Sequence, residues 1–156
     1  MLEILSIIIG YLLGSVSPAY ILGRVLRGID IREYGTGNAG TTNAKKVLGL
    51  GPAIICAIYD LAKGLLSMYI AYLLDISEAF IFAAGFAAIL GHVFPFYLKF
   101  RGGQGVAAAV GILLFLLIRF LWGNWLPVFE LLILAIMVCL LYTSDAADEL
   151  DGVDLG

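Results

Sequence analysis

Charged residues are scarce in this sequence: they make up 13% of its 156 residues, about half the share that is usual in soluble domains. This scarcity argues against a soluble globule, because a domain of this size needs a large polar surface. Hydrophobic residues make up 62% of the chain and the mean hydropathy is +1.04, which excludes a disordered chain. The composition therefore indicates an integral membrane protein.

Cysteine and histidine are scarce as well. Cys56 and Cys139 both lie in apolar runs, where cysteine is usually a small buried hydrophobe. The single histidine, His92, has no metal-ligand spacing around it, so we expect no metal site. The net charge of −3 reflects five acids among the last twelve residues. It therefore indicates no partner, and we expect neither a nucleic acid nor an obligate protein partner.

Long apolar runs predict an all-α fold, a polytopic integral membrane bundle with about five transmembrane helices. A bilayer core about 30 Å thick needs about 20 apolar helical residues. Between Lys46 and Asp75 each charge-free stretch is too short to cross alone, so a span there carries Asp60, Lys63 or both into the membrane. The other four spans are predicted at residues 4–22, 79–98, 102–118 and 126–142.

Basic residues are distributed unevenly among the predicted loops. Seven of the nine lie in two segments, residues 24–46 and residues 99–101. The positive-inside rule places such loops in the cytoplasm. We therefore expect a multi-pass protein whose N-terminus is outside and whose two basic loops are cytoplasmic.

The first candidate site follows the first span and is rich in glycine and hydroxyl residues. Glycine permits left-handed turns that can direct several backbone N–H groups at one anion. A flexible surface loop is the alternative, but asparagines and threonines between basic residues favour phosphate binding. The candidate binding residues are Ser15, Arg32, Gly35, Thr36, Gly37, Asn38 and Thr42, and Asn43 is a candidate catalytic residue.

The second candidate site is the pair Asp60 and Lys63. Residues three apart share a helix face, so the two side chains can form an ion pair. Ionisable residues inside a membrane are costly and usually line a cavity or a site. A buried pair that only fixes helix packing is the alternative, but an acid and a cation near a phosphate loop favour a catalytic function.

The third candidate site begins at His92 and continues into a second glycine run before a predicted helix. The N–H groups of a helix N-terminus and the helix dipole favour a bound anion, and two basic residues stand beside it. The candidate phosphate-binding residues here are Lys99, Arg101, Gly102, Gly103, Gln104 and Gly105.

Two anion sites on one face of a membrane protein indicate a substrate that has both phosphate and acyl parts. The sequence contains no Gly-x-Ser-x-Gly motif, and the four residues that follow His92 lead to a tyrosine, Tyr97, and not to an acid. A hydrolase elbow and a His-x4-Asp acyltransferase motif are therefore both absent.

At these three clusters the sequence resembles the bacterial membrane acyl-phosphate:glycerol-3-phosphate acyltransferases. That family carries a serine–alanine–tyrosine motif with a glycine–asparagine stretch, then Asp-x2-Lys-Gly, Gly-His-x-Phe-Pro and Gly-Gly-Lys-Gly-Val. The matching residues occur in the same order: Ser15, Ala19, Tyr20, Asp30, Arg32, Gly35, Gly37, Asn38, Gly40, Thr42, Asn43, Asp60, Lys63, Gly64, Gly91, His92, Phe94, Pro95, Gly102, Gly103, Gly105 and Val106.

Three positions depart from that family's pattern. Thr36 replaces a serine, Thr41 replaces an alanine and Gln104 replaces a lysine. Glutamine can donate a hydrogen bond but carries no charge, so we expect weaker phosphate binding at position 104.

The resemblance implies a function. The family transfers an acyl chain from acyl phosphate to the 1-hydroxyl of glycerol 3-phosphate, an early step of phospholipid synthesis in the bacterial cytoplasmic (inner) membrane. The expected partners are these two substrates and the lipid bilayer, with no metal and no cofactor. The expected catalytic residues are Asp60, Lys63, His92 and Asn43.

The resemblance covers residues 1 to about 138, and we predict two regions on that basis. The family has about seven spans, so residues 1–138 are expected to be a transmembrane acyltransferase fragment without turnover of its own. From Cys139 onward the sequence looks like a translated sequencing adaptor, and residues 139–156 are expected to be a non-native tail.

Two other functions stay open. The chain could be a non-enzymatic transporter of small anions, or an inactive membrane fragment. A transporter would need polar residues throughout several spans, whereas here the polar groups gather at one end of the predicted bundle.

Overall fold

The computed structural model describes residues 1–122 together with residues 133, 135 and 136. In this part of the chain the secondary structure is helical, with no strand. The α-helices are α1 (Leu2–Ser15), α2 (Pro18–Arg27), α3 (Thr41–Leu48), α4 (Leu50–Leu73), α5 (Glu78–Val93) and α6 (Val106–Leu121). Two short 3-10 helices, Ile31–Glu33 and Phe96–Leu98, lie in the connections.

The chain divides into two compact units. The first, Met1–Phe115, contains α1 to α5 and the first part of α6. The second begins at Leu116, and its described residues include the last turns of α6. All the candidate site residues belong to the first unit.

Three segments are long and apolar enough to cross a membrane: Leu2–Arg27, Leu50–Leu73 and Glu78–Leu98. They correspond to the first three predicted spans. The second of them, α4, carries both Asp60 and Lys63, as the sequence predicts. The all-α membrane fold is thus confirmed, while the predicted fifth span at residues 126–142 lies outside the described residues except for three positions.

Two predicted spans differ in detail from the helices. The first span, which the segment Leu2–Arg27 bears out, is interrupted, because α1 ends at Ser15 and α2 begins at Pro18. Ser17 caps α2 by accepting a hydrogen bond from the N–H of Tyr20, and proline is favoured at a first helical position. The fourth predicted span starts at Val106 rather than at residue 102, because residues 102–105 form part of a loop.

Small residues bring the helices close together. A side chain on Gly10 or Gly14 of α1 would collide with the backbone of α5 at Ala84 or Ala88. Likewise, a side chain on Gly64 of α4 would collide with the carbonyl oxygen of Ala108. Without a strong hydrophobic drive between helices in lipid, such close backbone packing is a main source of helix association. It brings α1 against α5, which carries His92, and α4, which carries Asp60, against the first turns of α6.

Candidate active site

The carboxylate of Asp60 is the centre of the candidate site. Its side chain lies on α4 and is 1% exposed. The Oδ1 atom lies 2.8 Å from Lys63 Nζ, one helical turn further along, and 3.4 Å from Nδ1 of His92 on α5. The Oδ2 atom accepts a hydrogen bond of 3.4 Å from Oγ1 of Thr41 on α3. Three helices thus contribute one polar group each to the surroundings of a buried acid.

Two polar atoms at this centre are buried without a hydrogen bond of good geometry to any described residue: Asp60 Oδ1 and His92 Nδ1. Both lie within ion-pair distance of an oppositely charged or chargeable partner. Buried polar atoms in folded proteins are nearly always hydrogen-bonded, and each exception calls for an explanation. The cluster of Asp60, Lys63 and His92 is therefore the candidate for a functional site in this part of the chain.

Lys63 connects the centre to the break between α1 and α2. Its ammonium group donates to the carbonyl oxygen of Val16 at 3.2 Å, in addition to its contact with Asp60. The carbonyl groups at the C-terminal end of a helix have no N–H donor within the helix, so they can accept from a cation. The interruption of the first span therefore supplies a hydrogen-bond acceptor for the buried ammonium group of Lys63.

His92 lies directly against the second glycine segment, residues 102–105. The N–H of Gly103 donates to the carbonyl oxygen of His92 at 3.1 Å, and the N–H of Gly102 donates to that of Val93 at 3.0 Å. A side chain on Gly103 would collide with Nε2 of His92. Glycine is required there because the backbone itself packs on the imidazole ring.

The two glycine segments touch each other. The N–H of Ala39 donates to the carbonyl oxygen of Gly102 at 3.1 Å. A Cβ on Gly40 would lie 3.7 Å from the Cα of Gly103. The first segment, residues 35–43, and the second, residues 102–105, are therefore adjacent although the bonded residues Ala39 and Gly102 lie 63 positions apart in the sequence.

Asn43 organises the first glycine segment. Its side-chain amide nitrogen donates to the carbonyl oxygens of Ile31, Tyr34 and Asn38 at 2.8–3.0 Å, and its Oδ1 accepts from the N–H of Thr36 at 2.8 Å. The side chain is buried. Its polar atoms are thus all used by the loop backbone, which supports a positioning function for this residue.

Arg32 joins the first segment to the turn before the second. Two of its nitrogens donate to the carboxylate of Asp30 at 2.9 and 2.7 Å, and a third donates to the carbonyl oxygens of Leu98 and Arg101 at 2.6 and 3.3 Å. The hydrogen bonds from Arg32 hold the pKa of Asp30 below its usual value, and the pKa of Arg32 is raised. This network fixes the two loops relative to each other.

A model of the family described as "Glycerol-3-phosphate acyltransferase" matches residues 4–148 of this chain. The chain belongs to this family. The matched residues include both glycine segments and the Asp60, Lys63 and His92 cluster, and they run past the boundary at residue 138 that the sequence analysis predicts.

Relatives with the name glycerol-3-phosphate acyltransferase are similar in sequence. The one from Halalkalibacterium halodurans is 47% identical over 70% of this chain and 54% of its own length. The one from Coxiella burnetii strain CbuG_Q212 is 42% identical over 92% of this chain and 72% of its own length. A third, from Dehalococcoides mccartyi, is 42% identical over 86% and 62%. The chain thus spans between about half and three quarters of these relatives.

The fold also matches solved structures. Crystal structures of PlsY, described as an integral membrane glycerol 3-phosphate acyltransferase, superpose with a TM-score of 0.75 in both a glycerol 3-phosphate form and a lysophosphatidic acid form. The first of these is 26% identical over 97% of this chain and 91% of the solved chain, and the second is 23% identical over 97% and 93%. The membrane fold of the acyltransferase family is therefore the fold of this chain.

Most of the phosphate-binding residues predicted for this chain lie in or beside the two glycine segments. Gly35 and Gly37 adopt left-handed conformations, with φ of 66° and 78°, that only glycine adopts at little cost. Several of the amides hold the loops together instead of being open to a ligand, namely those of Thr36, Gly37, Gly102 and Gly103. The side chains of Thr36, Thr42, Lys99, Arg101 and Gln104 are exposed, whereas Ser15 and Gly105 are buried.

Ser15 lies apart from the glycine segments. Its hydroxyl donates to the carbonyl oxygen of Leu12 within α1 at 2.8 Å. The backbone of Ser15 is nevertheless part of the site's frame, because Tyr97 donates from its hydroxyl to the Ser15 carbonyl oxygen at 2.9 Å. A phosphate contact by the Ser15 hydroxyl stays a prediction.

Sequence reasoning missed three residues that build the site. Tyr97 accepts from the N–H of Ser17 at 3.0 Å, and Ser17 donates to the carbonyl oxygen of Ala39 at 3.2 Å, so both connect the helix break to the loops. Thr41 was noted only as a departure from the family pattern. The Ser17–Pro18 pair carried a local signal for a helix start, whereas nothing local marks Tyr97, whose partners lie about 80 positions away.

Proposed function

We propose that this protein contributes to transfer of an acyl chain from acyl phosphate to the 1-hydroxyl of glycerol 3-phosphate. The products are lysophosphatidic acid and phosphate. One observation carries the proposal: the buried carboxylate of Asp60 faces Lys63 and His92 beside two adjoining glycine segments. Family membership supports the same reaction.

The chemistry needs positioning more than activation of the leaving group. The hydroxyl oxygen of glycerol 3-phosphate bonds to the carbonyl carbon of the acyl phosphate, and the bond from that carbon to the phosphate oxygen then breaks. Acyl phosphate is a mixed anhydride, so phosphate already leaves readily. The protein has to bring two anionic substrates together and orient the hydroxyl.

The Asp60–His92 pair is suited to the proton transfer of this reaction. The imidazole presents Nδ1 to Asp60 and Nε2 to the second glycine segment. A carboxylate at one ring nitrogen orients the ring and stabilises its charged form. We assign the proton of the 1-hydroxyl to this pair, which delivers it to the departing phosphate. Lys63 neutralises Asp60 when the imidazole is uncharged.

Backbone amides and basic side chains at the mouth of the site can bind the substrate phosphates. Helix α3 begins at Thr41, within the first glycine segment, and α6 begins at Val106, immediately after the second. First-turn amides have no acceptor within their own helix. Lys99 and Arg101 are exposed beside the second segment. We propose that these groups hold the two substrate phosphates, together with the predicted loop residues.

We further propose the bacterial cytoplasmic membrane as the location, with the N-terminus outside and the glycine segments in the cytoplasm. The uneven distribution of basic residues supports this orientation. A cysteine at exposed Lys46 should react with an impermeant thiol reagent only after the cells are opened, and one at Ser77 should react in intact cells. The opposite labelling pattern would overturn the orientation.

The function is tested by product formation in lipid nanodiscs. Residues 1–138 are joined to the C-terminal part of the Coxiella burnetii relative, and the 156-residue chain is prepared in parallel. With radiolabelled glycerol 3-phosphate and palmitoyl phosphate, we expect the chimera to form lysophosphatidic acid and the shorter chain to form none.

The controls separate the donor from the acceptor. Palmitoyl-CoA in place of palmitoyl phosphate should give no product. If the chimera forms none under conditions in which the intact relative is active, the proposed function is wrong. If it prefers palmitoyl-CoA, the acyl phosphate donor is wrong.

A further inference from the structure

The second oxygen of the Asp60 carboxylate has one described hydrogen-bond donor with suitable geometry, Thr41. Its Oγ1 lies 3.4 Å from Oδ2, which is longer than the usual hydroxyl–carboxylate distance. Thr41 is the first residue of α3 and lies within the first glycine segment. The contact thus couples that segment to the centre of the site.

The two oxygens of a carboxylate are bonded to the same carbon in a rigid planar group. A contact that fixes Oδ2 therefore also fixes the direction of Oδ1. The groups that face Oδ1 come from two other elements: Lys63 from α4 and His92 from α5. Lys63 is itself held by the Val16 carbonyl oxygen. Lys63 and His92 lie within ion-pair distance of Oδ1, and the hydrogen bond that Oδ2 accepts from Thr41 adds a third contact, on the other oxygen, that helps to set the direction of the carboxylate.

We propose that Thr41 is a positioning residue that turns the Asp60 carboxylate toward His92 and Lys63. An effect of Thr41 on catalysis rests on the proposed function. The effect of Thr41 on the orientation of the carboxylate does not, and it can be measured without turnover. Thr41 stands where the resemblance pattern has alanine, which cannot make this contact. The orientation of the acid in this chain is therefore set by a residue outside that pattern.

The expected consequence lies in the imidazole of His92. A carboxylate that faces Nδ1 favours the tautomer with its proton on Nδ1 and leaves Nε2 free to accept. Loss of the Thr41 hydroxyl lets the carboxylate rotate, so the preference for this tautomer weakens. A hydrogen bond of this kind changes such a ratio by about two- to fivefold.

The chain contains one histidine, which makes a direct measurement possible. The 156-residue chain with nitrogen-15-labelled histidine is reconstituted in nanodiscs, and the shifts of the two ring nitrogens are recorded by NMR. Thr41→Val keeps the side-chain shape and removes the hydroxyl, and Thr41→Ala introduces the residue of the family pattern. Both should move the Nδ1 and Nε2 shifts toward a more even tautomer mixture.

Two controls separate positioning from a general structural effect. Thr41→Ser retains a hydroxyl and should keep the parent spectrum. Ser6→Ala removes another buried hydroxyl, one that donates to the Glu3 carbonyl oxygen far along α1, and should also leave the spectrum unchanged. Asp60→Asn should give the largest change.

The outcomes distinguish the inference from the proposed function. Unchanged ring shifts in both Thr41→Val and Thr41→Ala would overturn the positioning role, whether or not the chimera makes product. Unchanged shifts in Asp60→Asn would overturn it as well, because the contact with His92 would then not influence the ring. In the chimera assay, Thr41→Val should lower kcat by about fivefold with little effect on KM for glycerol 3-phosphate, and Thr41→Ser should restore it.

Discussion

Two acidic residues of this protein illustrate two uses of an ion pair. Asp30, outside the membrane-spanning segments, receives well-formed hydrogen bonds from Arg32, and the same arginine also binds the backbone of the next loop. Asp60, inside α4, has cationic or chargeable groups nearby but an Oδ1 atom without a well-formed hydrogen bond among the described residues. The Asp30–Arg32 pair builds the loop structure, whereas the Asp60 cluster keeps two buried polar atoms without a hydrogen bond among the described residues.

The largest expected effect comes from breaking the buried pair. Asp60→Asn leaves the Lys63 ammonium without its counter-charge, and Lys63→Met leaves the Asp60 carboxylate without one. Removal of one partner of a buried pair costs roughly 3–5 kcal/mol. Thermal unfolding in nanodiscs measures this loss for each single variant. A change no larger than that of an exposed substitution would show that the two groups are not paired in the folded protein.

The next largest effect concerns the contact between His92 and the second glycine segment. Gly103→Ala places a methyl group against Nε2 of His92, and overpacking of this kind costs about 1–3 kcal/mol. Gly51→Ala is the matched control, since a side chain there meets open space. We expect lower stability and displaced His92 NMR signals in the first variant only. Equal behaviour of the two would contradict the close packing.

The pair formed by Asp30 and Arg32 is tested by the pH dependence of the protein's stability. The Arg32 hydrogen bonds lower the pKa of Asp30 in the folded protein, so Asp30 contributes stability above its unfolded pKa, near 3.8. That contribution is lost as the pH falls through the lower, folded value. Asp30→Asn should therefore be less stable than the parent at neutral pH, by about 1–2 kcal/mol. The difference should shrink below about pH 4; a difference that stays constant in thermal unfolding scans would contradict this assignment.

The smallest effect is expected at the exposed end of the site. Gln104→Lys adds a charge at the position where the family pattern has lysine. A charge-assisted hydrogen bond exceeds a neutral one by about 1 kcal/mol, so we expect roughly fivefold better substrate binding or turnover in the chimera. The gain should decline as salt is added. Lower activity in this variant would mean that the local charge is already balanced by Lys99 or Arg101.

The sequence predicted the residues of the buried cluster but not how they meet. Apolar run lengths located α4 and showed that Asp60, Lys63 or both had to enter the membrane, since spacing along one helix is a local property. The contact between Asp60 and His92 joins residues 32 positions apart on different helices, and only the packing of α4 against α5 determines it. The same holds for Tyr97, whose bonds to Ser15 and Ser17 cross the fold.

The structure of the loops also follows from the sequence only in part. Glycine and asparagine content marked residues 35–43 as a turn-rich segment, and the left-handed glycines agree with that interpretation. The use of Asn43 as the centre of the loop did not follow from composition, because an amide can equally well face a substrate. Which atoms of a polar side chain form hydrogen bonds with the backbone depends on the path of the chain.

The central claim is that Asp60 and Lys63 act in the reaction and do not merely stabilise the fold. The double variant Asp60→Asn/Lys63→Met in the chimera tests it most directly, because removing both charges relieves the unpaired charge that each single variant creates. Lysophosphatidic acid formation and thermal unfolding are measured on the same nanodisc preparation. The account predicts that stability recovers to near that of the parent while product formation stays absent. Recovery of both stability and activity would contradict the account and leave the pair with a structural function only.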